Sequence, residues 1–69
     1  MVRTLTAVIH KEGDLFVADC PEVGTVSQGA TIDEAIGNLK EATEVYLEEF
    51  PVEPAQHPLV TTFEVAADA

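Results

Sequence analysis

Tryptophan is absent, and cysteine, methionine and tyrosine occur once each. A lone Cys20 excludes an internal disulfide framework, and two separated histidines, His10 and His57, do not make a structural zinc site. Lysine and arginine together number 3 against 13 aspartates and glutamates, a formal net charge of −10. So few cations argue against direct binding of DNA or RNA, which relies on Lys and Arg to neutralise phosphate. They argue equally against adhesion to an anionic membrane surface. No apolar run approaches a membrane span. The opening MVRTLTAVIH alternates threonine with apolar residues and reads as no signal peptide, so a cytoplasmic location is expected.

What is present argues for a folded chain. Of the 69 residues 46% are hydrophobic, too many for a disordered acidic tail. The length allows one domain, residues 1–69. A domain of this size buries only about 60% of its unfolded surface. With neither disulfide nor metal to reinforce it, self-association into a dimer or tetramer is the expected support.

Residues 3–10 read as a strand, rich in threonine, valine and isoleucine with near-alternating polarity. Lys11 to Asp14 make a four-residue turn around Gly13, and residues 15–20 return. In that register Ile9 opposes Phe16, Ala7 opposes Ala18 and Leu5 opposes Cys20. Pro21, Glu22, Val23 and Gly24 interrupt the pairing, and residues 25–28 form a short third strand ended by Gly29. Thr31 and Glu34 have the spacing of a capping box, which starts a helix over residues 32–49. Its apolar stripe comprises Ile32, Ala35, Ile36, Leu39, Ala42, Val45 or Tyr46, and Phe50; Pro51 and Pro54 end it. A connector over 52–58 precedes an alternating last strand at 59–65, and residues 66–69 fray. The fold class is therefore α+β in the order β-β-β-α-β, a four-stranded mixed sheet with one helix on one face. Leu5, Ile9, Phe16, Val26, Leu39 and Phe63 are the expected core. The uncovered face carries Val8, Leu15, Val17 and Val60, a candidate surface for self-association.

The ordered motifs Glu12-Gly13-Asp14-Leu15-Phe16-Val17-Ala18, Cys20-Pro21-Glu22, Val26-Ser27-Gln28-Gly29 and Thr31-Ile32-Asp33-Glu34-Ala35 resemble the HicB-type antitoxin domain. Asn38-Leu39-Lys40-Glu41-Ala42 and Tyr46-Leu47 continue the likeness, which spans residues 6–49. The resemblance implies a partial ribonuclease H-like fold and a non-catalytic antitoxin that binds and neutralises a small basic, HicA-like toxin that cleaves mRNA. Family members also repress their operon through a C-terminal DNA-binding segment. No such segment lies before Ala69, so operator binding is not expected of this chain. The loop at 21–24 is one residue shorter than the family's and lacks its second proline.

Two readings of the acidic helix stay open. It is a solvated face kept soluble by charge, or it occupies a toxin's RNA site as an electrostatic decoy, with Glu41, Glu44 and Glu48 steering association. Under the second reading Pro21, Glu22, Val23 and Gly24 supply shape. The alternative from another class is a homo-oligomeric regulatory module that binds a protein or small ligand and has no toxin partner. A nuclease would need carboxylates converging on two Mg²⁺ ions, beginning in the first strand. Residues 3–10 contain none, so no enzyme, metal or cofactor is expected.

Overall fold

Extended backbone suits the β-branched residues that open this chain, and glycine decides where it turns. The computed structural model describes residues 3–51, 53 and 57–67. It contains β1 (Val8–Glu12), β2 (Leu15–Cys20), β3 (Thr25–Gly29) and α1 (Ile32–Glu49). The fold is α+β: three antiparallel strands in the order β1-β2-β3, with one helix packed on β3 and β2.

The first hairpin is tighter than the sequence pattern suggests. Glu12 pairs with Leu15, and Ile9 faces Ala18 in place of the expected Phe16. Only Gly13 and Asp14 form the turn. Gly13 has φ +60° and Asp14 does not share a positive φ, the combination of a type II′ turn whose twist matches the flanking strands. Lys11 and Glu12 therefore join the ladder, and the Lys11 ammonium lies 5.9 Å from the centre of the Phe16 ring. The register shift is two residues, so every side chain keeps the face expected of it.

Ala18, Cys20, Ala35 and Leu39 are buried, with Leu5, Ile9, Phe16 and Val23 packed against them. Val26 does not join this core. It pairs with Asp19 on the opposite face and is 58% exposed. Thr25, Ser27 and Gly29 face the helix instead. Their small side chains permit close approach: a β carbon on Gly29 would stand 2.6 Å from the Ala35 nitrogen.

Thr31 caps α1 by accepting the Glu34 N–H at 3.0 Å, while the Glu34 carboxylate accepts from the Ala30 N–H at 3.2 Å. At the far end the Phe50 N–H reaches the Tyr46 carbonyl, and Pro51 follows. The buried stripe is narrower than expected: Ala35, Leu39 and Thr43, with the Thr43 hydroxyl 2.6 Å from that of Thr25. Eighteen helical residues span about 27 Å, whereas five-residue strands span about 17 Å. The last turns of α1 therefore overhang the sheet, leaving Tyr46 and Phe50 exposed although they continue the Leu39 stripe, while Val45 is exposed on the helix flank.

Residues 59–65 form no strand within the single chain. Leu59 is 95% and Phe63 85% exposed, and Val60 stands in solvent, apart from the sheet face expected to carry it. The physical reason is that a strand persists only on a neighbour's ladder, and this segment has no such neighbour here. The connector expected at 52–58 lies outside the described residues at 52 and 54–56, as do positions 1–2 and the expected fraying at 68–69.

Candidate functional site

Helical geometry places Glu41, Glu44 and Glu48 within an arc of roughly 60° directly opposite the buried Leu39. All three are exposed, and none has an ion-pair partner among the described residues. The last turn of α1 carries no base. Beside this acidic ridge the overhanging end of the helix forms a shallow depression of about 570 Å³, lined by Asn38, Glu41, Val45, Tyr46, Glu49 and Phe50. Tyr46 and Phe50 stack with ring centres 5.0 Å apart, and the Asn38 amide donates to the Gln28 carbonyl at 2.8 Å, tying the depression to β3. Exposed aromatics beside unpaired carboxylates form a surface with apolar anchors and a charged rim. The aromatics were legible only as part of an apolar stripe; their exposure follows from the length mismatch between helix and sheet.

The loop at 21–24 serves a different purpose for one of its members. Gly24, at φ +95°, closes the turn by donating its N–H to the Cys20 carbonyl at 2.7 Å. Pro21 is exposed and Val23 packs on the core. Glu22 turns inward, its side chain 1% exposed. Its carboxylate accepts from the Thr6 N–H at 2.9 Å, from the Thr6 hydroxyl at 2.8 Å and from the Cys20 thiol at 3.7 Å. His57 Nδ1 lies 2.6 Å from Glu22 Oε2. Burial pushes the Glu22 carboxyl up. The Thr6 hydroxyl, the backbone N–H groups of Glu22 and Thr6, and His57 outweigh burial and hold it near about 2, down from an ordinary 4.5. Glu22 thus ties two distant stretches of chain, at Thr6 and His57, to the loop after β2, while Glu41, Glu44 and Glu48 face outward. The two groups are not brought together.

Val8, Leu15 and Val17 lie on the sheet face away from α1, beside Val26. His10 sits among them, 3.1 Å from Glu12 Oε2 and 3.8 Å from Asp19 Oδ2. Asp14 is in the hairpin turn, Asp19 lies beside His10 on the face away from α1, and Glu22 is buried in the loop after β2. Among the described residues no three His, Cys, Asp or Glu side chains converge on a point where a metal could sit. No helix among them is long and apolar enough to cross a membrane.

A strand hairpin, a third strand and a capped acidic helix define a small α+β protein whose helix turns an acidic, partly aromatic face to solvent. Comparison with known sequences agrees on the neighbourhood. Over 44 residues the chain is 46% identical to a UPF0150 protein of Helicobacter pylori (strain J99), a family of HicB-like proteins. The likeness covers 62% of this chain and 61% of that relative, so the chain spans about three fifths of the length of the protein it matches. No protein-family model matches the chain, and no solved structure does.

Proposed function

We propose that this chain is a non-catalytic, antitoxin-like protein that binds and neutralises a small basic ribonuclease, covering the cationic surface on which that toxin would hold mRNA. One observation carries the reading. The exposed ridge of Glu41, Glu44 and Glu48 runs beside the Val45–Tyr46–Phe50 depression, and none of the three carboxylates has an ion-pair partner among the described residues. Charges of one sign at this spacing repel mildly within the helix, and a cationic partner relieves that repulsion. The glutamates accelerate and orient encounter, while Tyr46 and Phe50 supply buried contact. The similarity to a UPF0150 protein supports the same class. On this reading the sheet belongs to a partial ribonuclease H-like fold used as a scaffold for recognition.

The test is co-expression with a small, strongly basic, mRNA-cleaving ribonuclease of the kind proposed. Restored growth in cells carrying the active toxin, lost when Tyr46 and Phe50 are both changed to Ala, is the expected result. An active toxin whose lethality this chain leaves untouched would reject the reading.

A further inference from the structure

We propose that residues 59–65 of one copy form an edge strand on β1 of a second copy, giving a closed two-fold dimer in which each chain donates one segment and receives another. The donor segment is Leu59-Val60-Thr61-Thr62-Phe63-Glu64-Val65. Six of its seven residues are apolar or threonine, and its alternation sets Leu59, Phe63 and Val65 on one side. It contains neither Gly nor Pro. A flat, apolar, unpaired segment of this kind invites pairing with any open sheet edge, and in the single chain it projects into solvent.

The acceptor lies on the same molecule. β1 ends the sheet order, so its outer edge has no partner among the described residues. Because α1 sits over β3 and β2, a groove of about 860 Å³ remains between the helix and residues 3–7, with Leu5, Ile36, Leu39 and Leu47 among its lining. These are apolar walls for Leu59 and Phe63. Lys40, with no ion-pair partner among the described residues, also lines the groove and can meet Glu64.

Area and shape favour a second copy as the occupant. The chain exposes 5636 Å², against roughly 4200 Å² for a compact chain of its mass. The surplus exceeds the roughly 800 Å² that each partner buries in a stable complex. Its radius of gyration is 14.2 Å, where a compact chain of this length has about 11 Å. The Glu22 clasp holds His57 beside Thr6, and beyond Pro58 the chain leaves its own sheet. When two copies exchange reciprocally, each segment on the other's β1 edge, the arrangement is two-fold and leaves no donor or acceptor open.

The experiment mixes ¹³C-labelled and unlabelled full-length chains and records isotope-filtered contacts, alongside sedimentation equilibrium. The expected result is a particle of twice the chain mass with contacts from the Phe63 ring of one chain to the Leu5 and Leu39 methyls of the other. Leu59→Asp with Phe63→Asp should weaken dimerisation by at least about 100-fold while the helical circular dichroism persists. A monomeric full-length chain, Phe63 contacts confined to one chain, or a dimer that contacts only through Val8, Leu15 and Val17 would overturn the proposal. The labelled-mixture readout decides the question even where the double variant fails to fold.

Discussion

Glu22 is the one buried acid among the described residues, which makes acid the natural probe of its surroundings. Its carboxyl titrates near about 2 when folded, against an ordinary 4.5. A depressed folded value means the stabilisation is fully present above the ordinary value and disappears as pH falls toward the folded one. Thermal unfolding should therefore show a midpoint that drops between about pH 5 and pH 2, and Glu22→Gln should flatten that dependence. Equal slopes for the two proteins would mean that the clasp does not form in solution. Gly29 offers a second probe at this scale. Gly29→Ala places a methyl against backbone atoms of α1, and a loss of about 1–3 kcal/mol in urea unfolding is expected. The clasp was not legible in the sequence, because the partners of Glu22 lie 16 residues before and 35 after it. The sequence shows Glu22 only as an acid in a polar turn. Gly29, by contrast, is visible as a strand ender, though its packing against the helix is not.

At the scale of elements, α1 joins the fold on one side and meets solvent on the other, and substitutions should separate the two. Leu39→Ala removes the largest buried side chain of the helix stripe and should cost about 2–4 kcal/mol of stability by denaturant titration. Tyr46→Ala and Phe50→Ala should change stability little and, on the proposed function, weaken binding of a basic ribonuclease by roughly tenfold or more each, measured calorimetrically. Reversing Glu41, Glu44 and Glu48 to Lys should act mainly on the association rate. The helix bounds and its Thr31 cap were legible because a capping signal is local. The face of Val26 was not: a run of Thr, Val, Ser, Gln and Gly carries one large apolar residue, and only contact with the helix decides which side is inside. The hairpin register departs from the four-residue turn for a related reason. Gly13 permits both a two-residue and a four-residue turn, and the Lys11–Phe16 stack favours the shorter.

For the whole molecule the net charge of −10 gives salt two opposite effects. Screening shortens from about 30 Å at 0.01 M salt to about 8 Å at 0.15 M. Self-repulsion then falls, so the thermal midpoint should rise with added NaCl, while affinity for a basic partner should decline. Calorimetry of the free chain and titration against the proposed basic ribonuclease check the two signs. The missing fourth strand also belongs to this scale. Its alternation is plain at 59–65, but no sequence pattern states whether a strand finds its ladder in its own chain. The union of His57 with Glu22 has a consequence of its own. It anchors the root of this segment, so the ten residues from 58 to 67 act as a leash of at most about 33 Å. Any surface they grip must come within that radius of one fixed carboxylate.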